Sequence, residues 1–133
     1  IEVISRIIIL RGKDILLCKN IQHNLYYLPG GHVEFGDTGE KTVYKELSEE
    51  IGLLPEDIMN LKYIDILENI FPYKEGLNHE VNLVYSAELK EDVKVESQES
   101  HIESEWCSIE SLSNINFQPK SIIKMVNKAF SSK

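Results

Sequence analysis

Hydrophobic and polar positions follow two different rhythms along the chain. Residues 3–10 are apolar and rich in β-branched side chains, Arg11-Gly12-Lys13-Asp14 interrupts them, and residues 15–18 resume the run. This predicts two strands joined as a hairpin. Residues 26–28 form a short extended piece that Pro29-Gly30-Gly31 ends. Between residues 40 and 51 the period changes: proline is absent, and Val43, Tyr44, Leu47 and Ile51 recur at helical spacing. Asp37 or Thr38 can cap the start of this helix. Asp37 has Glu40 three residues on, in the manner of a capping box, and Gly52 stands where a left-handed C-cap is expected.

Two longer strand candidates, 61–68 and 81–89, flank a loop at 71–76. The polar stretch 91–104 reads as an exposed loop with some strand, and Trp106 begins a short apolar piece. Pro119 opens a final helix with Ile122, Ile123, Val126 and Phe130 as its buried face. Strands, helix, strands, helix is the order of an α+β fold, a mixed sheet with helices packed on it.

A length of 133 residues suits one compact domain over residues 1–133. With 42% hydrophobic and 27% charged residues the balance is that of a globular chain, not a disordered one. The opening run IEVISRIIIL is only a strand's length and is broken by Glu2, Ser5 and Arg6, so neither a signal peptide nor a membrane span is expected there. Cys18 and Cys107 lie far apart in no metal-ligand spacing, which suggests free thiols in a reducing compartment. A cytoplasmic location is the default expectation.

Formal net charge is -8. That disfavours a nonspecific nucleic-acid binder, whose surface must replace the counterions of phosphates. A small anionic substrate stays possible if a metal ion accompanies it.

The helix at 40–51 carries the chemistry. Glu46, Glu49 and Glu50 stand at i, i+3 and i+4, within roughly 100° of the helix circumference. Val43, Leu47 and Ile51 occupy a different arc, so one side is buried and another presents three acids together. Like charges at this spacing oppose the helix by about 0.2–0.5 kcal/mol per exposed pair. A hard divalent cation would offset that cost. The alternative is a solvated acidic face, partly neutralised by Lys45.

The surrounding residues 28–53, LPGGHVEFGDTGEKTVYKELSEEIGL, resemble the Nudix box, G-x5-E-x7-R-E-U-x-E-E-x-G-U with U aliphatic. Gly31 takes the first position, and Glu46, Leu47, Glu49, Glu50, Gly52 and Leu53 match in register. Asp37 stands where the family has Glu, and Lys45 where it has Arg. The resemblance implies a Nudix-type α/β/α sandwich around a mixed sheet, with the box as a loop-helix-loop. It also implies a Mg2+-dependent (or Mn2+-dependent) pyrophosphohydrolase. Its metal ligands would be Glu46, Glu49, Glu50 and the backbone carbonyl of Gly30, with Gly31, Asp37, Lys45, Leu47, Gly52 and Leu53 structural. The general base would be a box glutamate such as Glu46 or Glu49, or a later acid. Glu99 is favoured among Glu99, His101, Glu103 and Glu105. In the family the first Glu and the Arg help hold the loop to the helix. Asp37 is a methylene shorter and Lys45 cannot form a bidentate fork, so the tie is expected to change geometry and activity to fall.

Specificity lies outside the box. Tyr26, Tyr27, Phe71 and Tyr73 can stack on a base, and Arg6, Lys19 or His32 can meet phosphates, although core packing or surface solvation is the commoner role for each of them. His79-Glu80 is too small a motif to make a metal site. The substrate that the resemblance implies is a small nucleotide, either an ADP-ribose-like sugar nucleotide or a nucleoside triphosphate. Neither a nucleic acid nor a membrane is expected as partner, and monomer and homodimer both stay open. A nucleotide-binding module with reduced catalysis, owing to Asp37 and Lys45, is the alternative.

Overall fold

A computed structural model describes residues 1–90 and 92–132. Its strands are β1 (Glu2–Arg11), β2 (Asp14–Asn20), β3 (Leu25–Tyr27), β4 (Gly30–His32), β5 (Ile58–Tyr73), β6 (Gly76–Leu89) and β7 (Ile102–Ser108). The helices are α1 (Gly39–Ile51) and α2 (Ile123–Ser131). β1 is the hub of the mixed sheet. It runs parallel to β6 from Glu2↔Glu80 to Ile9↔Ala87 and antiparallel to β4, while β6 continues antiparallel to β5. The predicted hairpin exists but is brief. β1 and β2 pair only at Leu10↔Ile15 and Arg11↔Asp14 before β2 diverges to pair with β3 and β7.

That divergence explains the nearly unbroken apolar runs in β1 and β2. Both strands are covered on two faces, so both alternating sets of side chains need an apolar partner. Ile7 and Ile9 of β1, with Leu16 and Cys18 of β2, pack against Val43, Leu47 and Ile51 of α1. Ile8 and Leu10, with Ile15 and Leu17, pack on the other side against Val126 and Met125 of α2 and against Phe117. The result is the expected α/β/α sandwich. Fully burying each such side chain contributes about 1.5–3 kcal/mol.

Several local expectations change in detail. Thr38, not Asp37, caps α1: its Oγ1 accepts the Lys41 N–H at 3.0 Å, and no Asp37–Glu40 box forms. Gly52 ends the helix at φ 69 as expected, its N–H donating to the carbonyls of Leu47 and Ser48. The anticipated loop at 71–76 shrinks to a tight turn, since β5 and β6 pair out to Tyr73↔Gly76. Gly30 and Gly31, which end the extended piece 26–28 as expected, also form β4 against Ser5 and Arg6. α2 buries Met125, Val126 and Ala129, after Ile122 in the preceding turn, whereas Phe130 is exposed. The stripe at i, i+3, i+4, i+7 therefore sits a fraction of a turn from the predicted one. Glu91, at the start of the polar stretch, lies outside the described residues. No helix among the described residues is long and apolar enough to cross a membrane.

Candidate functional site

The site lies where β4, α1 and the loop before β7 meet. Residues 30–31 approach α1 so closely that each glycine faces one of its acids. The Gly30 N–H donates to Oε1 of Glu50 at 3.0 Å. At Gly31 a Cβ would stand 2.6 and 2.8 Å from the two carboxylate oxygens of Glu46. The carboxylate thus rests on the bare Cα, in a cradle that any side chain would fill. Gly30 is excluded from substitution on its other side. A Cβ there would overlap the Ser5 carbonyl oxygen and lie 3.1 Å from Cα of Arg6.

The three acids of α1 do not share one environment, contrary to the picture of a common exposed arc. Glu50 is 7% exposed, Glu46 is half-buried and Glu49 is exposed. Burial pushes the Glu50 carboxyl up to about 7, the Gly30 N–H works in the opposite direction, and Glu46 and Glu99 add repulsion. Arg6 draws it down. Glu46 is raised by burial first and by Glu49 next, while Lys45 opposes the rise. Negative charge is therefore concentrated here beyond what the local cations balance. Among the described residues, no three His, Cys, Asp or Glu side chains stand as a ready-made metal group. The reason is local: Glu50 turns to an N–H and Glu46 to Gly31. The donor set is nonetheless all hard carboxylate oxygen, which suits magnesium or manganese better than a soft ion.

A strap brings the later acid to this place. The N–H groups of Glu96 and Gln98 donate to the carbonyls of Ile51 and Glu50, at 3.3 and 2.9 Å. These are orphan acceptors of the α1 C-terminus, so a passing loop replaces the missing helical turn. The strap carries Glu99 close enough to raise both Glu46 and Glu50. His101 pairs with Glu99 at 3.3 Å. Glu103 and Glu105 go elsewhere: Glu103 lies opposite Lys19 in the β2–β7 ladder, and Glu105 accepts the Tyr26 hydroxyl at 3.0 Å. Leu47 and Leu53 of the box are core residues.

The box's ion pair is rewired. Lys45 Nζ lies 3.5 Å from Glu34, and Asp37 pairs with Lys41 at 3.0 Å, one turn along α1. Glu34 is the chief influence raising Lys45.

Beside the acids is a cavity of about 510 Å3 whose lining includes Arg6, Asn20, Tyr27, Asn69, Phe71 and Gln118. Arg6 also donates to the Leu28 carbonyl at 3.1 Å. Of the aromatic and cationic candidates, the fold gathers Arg6, Tyr27 and Phe71 here. It leaves out Tyr26, exposed Tyr73 at the hairpin tip, Lys19 over the Tyr26 ring, and His32 paired with Glu2. Asn20, Asn69 and Gln118 were not anticipated. They come from separate elements with no shared spacing, so only the fold could have found them. His79 pairs with Glu68 at 2.9 Å. A larger shallow hollow of about 580 Å3 lies at the first half of α1, near Tyr44 and Tyr85.

Comparison with known proteins bears on the family and the fold. A family model described as NUDIX domain matches residues 2–126. An RNA pyrophosphohydrolase of Acinetobacter baylyi is 48% identical over 45 residues, 34% of this chain. That match covers 27% of the relative, so the chain spans about a quarter of the length of this curated protein. Among solved structures, a MutT NUDIX hydrolase of Burkholderia pseudomallei superposes with a TM-score of 0.71 at 21% identity, covering 95% of each chain. The E. coli dihydroneopterin triphosphate pyrophosphohydrolase reaches 0.80 at 15% identity, covering 98% of this chain and 96% of its own. At these identities the superpositions speak for the fold.

Proposed function

The chain belongs to the Nudix family, and from that premise we propose that it hydrolyses a pyrophosphate bond in a small nucleotide with the help of Mg2+. One observation carries the reading: Gly31 and Gly30 seat the carboxylates of Glu46 and Glu50 side by side, and the strap adds Glu99. Glu46, Glu49 and Glu50, with the Gly30 carbonyl, would hold the ion. When bound, it would supply polarisation of a phosphate oxygen and a water activated for attack at phosphorus.

The chain's own groups do the rest. The Gly30 N–H orients Glu50, and the bare Cα of Gly31 lets Glu46 lie flat against β4. Glu99, only 39% exposed in its side chain, is the base that takes a proton from the attacking water, and His101 holds it through the 3.3 Å pair. Arg6 faces the leaving or bridging phosphate from the cavity wall. Tyr27 and Phe71 offer faces for a heterocycle, and the carboxamides of Asn69 and Gln118 offer both donors and acceptors. A nucleoside triphosphate and a sugar nucleotide such as ADP-ribose both present the heterocycle and the phosphates that these groups would meet, with Glu80 as a carboxylate in the same lining.

The relative from Acinetobacter supports a second reading, an RNA-linked pyrophosphate. The net charge of -8 weighs against a long polyanion. The test is product analysis with Mg2+ on nucleoside triphosphates, ADP-ribose and a short 5′-triphosphorylated RNA. Release of monophosphate or pyrophosphate that disappears in Glu49→Gln and Glu99→Gln is expected. Equal rates in both variants and the wild type would remove these residues from the reaction. Tight nucleotide binding without any product would leave a binding module instead.

A further inference from the structure

Residues 33–38 carry the chain from β4 into α1, and the direction they take matters for Glu46. The Asp37 N–H donates to the Glu34 carbonyl at 3.0 Å, with Gly36 at φ 90 between them. This is the positive φ that the third residue of a type II turn requires. The turn folds Glu34 back over the helix, where its Oε2 is 3.5 Å from Lys45 Nζ. Asp37, with its short side chain, stops at Lys41, within the first turn of the helix.

These contacts close a ring. From Gly31 the chain runs to Glu34, crosses to Lys45, passes to the adjacent Glu46, and returns by the seat of its carboxylate on Gly31. We infer that Glu34 is the positioning partner of Lys45 in this chain, so that the Glu34–Lys45 pair holds Glu46 on Gly31. Asp37 pairs with Lys41 in the first turn of α1 and reaches Lys45 only as the weakest of the charges around it. The ring transmits loosening in one direction only. Freeing Glu34 from Lys45 lets the loop and the helix slide past each other, whereas freeing Asp37 from Lys41 leaves the ring closed.

The inference rests on the hydrolase reading for its kinetic consequence and on geometry alone for the pairing. Both are measured in one set of variants: Glu34→Gln, Lys45→Gln, Asp37→Asn, and the doubles E34Q/K45Q and D37N/K45Q. All three positions are at least partly exposed, and a pair of this kind is worth roughly 2- to 5-fold in an equilibrium constant, so the variants should fold. On metal-free protein, hydrogen exchange at the Asp37 amide should quicken roughly 2- to 5-fold in E34Q and in K45Q, and no further in the double. The effects of D37N and K45Q should multiply. In turnover, E34Q should lower kcat by a similar factor with KM unchanged. K45Q should cost more, because Lys45 also acts on Glu46 directly, and E34Q/K45Q should equal K45Q. Multiplying effects for E34Q and K45Q, or a coupling of D37N to K45Q as large as that of E34Q, would overturn the pairing. Absence of turnover in the wild type would sink the hydrolase reading, and the exchange cycle would still decide the pairing.

Discussion

Adding one methyl group at Gly31 or at its neighbour Gly30 should produce opposite failures, although the residues are adjacent and chemically identical. At Gly31 the obstacle is the end of a flexible side chain. The new Cβ would overlap Cδ of Glu46 and stand 2.6 Å from one of its oxygens, whereas non-bonded carbons settle about 3.5 Å apart or more. The carboxylate must therefore retreat by about 1 Å, which a change of rotamer allows without moving backbone. The strain is offset by the smaller unfolded-state entropy of alanine, about 0.4–1 kcal/mol. Stability should change by no more than about 1 kcal/mol, or roughly 3–4 °C in Tm for a chain of this size. The catalytic penalty is larger, because a displacement of about 1 Å can cost about 100-fold; Gly31→Ala should lower kcat by about 10- to 100-fold. At Gly30 the obstacle is the backbone of β1, with Ser5 C at 3.0 Å and Arg6 Cα at 3.1 Å. There φ is 153 as well, a conformation side chains rarely adopt. Overpacking costs about 1–3 kcal/mol, and forcing β4 off β1 loses ladder bonds at about 1 kcal/mol each. Gly30→Ala should therefore destabilise by about 3–4 kcal/mol, near 10 °C in Tm. Thermal melts beside steady-state kinetics separate the two. A Gly31→Ala enzyme with wild-type kcat would refute the role given to the Glu46 seat. A Gly30→Ala protein that melts with the wild type would refute the close approach of β4 to β1.

Three further outcomes follow from the same structure. Glu50 carries a folded-state pKa of about 7 against an ordinary value of 4.5. The folded state thus binds the extra proton, and without metal stability should fall as pH rises from about 4.5 to 7. Glu50→Gln keeps an acceptor for the Gly30 N–H, so in EDTA at pH 8 its melt should be higher by an amount on the order of 1–3 kcal/mol; a lower melt would contradict the burial cost. Burial pushes the Cys18 thiol up and Cys107 up to about 11, so at pH 8 a thiol reagent should label neither quickly until denaturant is added, and rapid native labelling would contradict their packing. Gly52→Ala would force a side chain into φ 69 and to 2.9 Å from Nε2 of Gln98. It should cost about 1 kcal/mol and loosen the strap, which quicker exchange at the Gln98 amide would report and unchanged exchange would disprove.

The local sequence determined most of what is local. The apolar runs at 3–10 and 15–18, the helical period at 40–51 with its terminal Gly52, and the Glu46, Glu49 and Glu50 set were all legible, because each depends on neighbours a few residues away. The Nudix resemblance then supplied the sandwich, and the family match agrees with it. Tertiary structure alone decided the rest. Nothing in the spacing says that Glu50 is buried while Glu49 is exposed, because that depends on how β4 lies across the helix. The nearness of Glu99 to α1 depends on two carbonyls at the helix end that capture the strap carrying it, which no spacing among the four acidic and histidine candidates displays. The partner of Lys45 proved to be Glu34, since the turn at Gly36, not the distance along the chain, sets which carboxylate reaches the ammonium group. Asn69 and Gln118 meet Arg6 across elements that sequence order keeps far apart. Periodicity and capping are short-range effects that a chain displays in itself, whereas burial, partner choice and cavity lining arise only when distant segments compete for the same space.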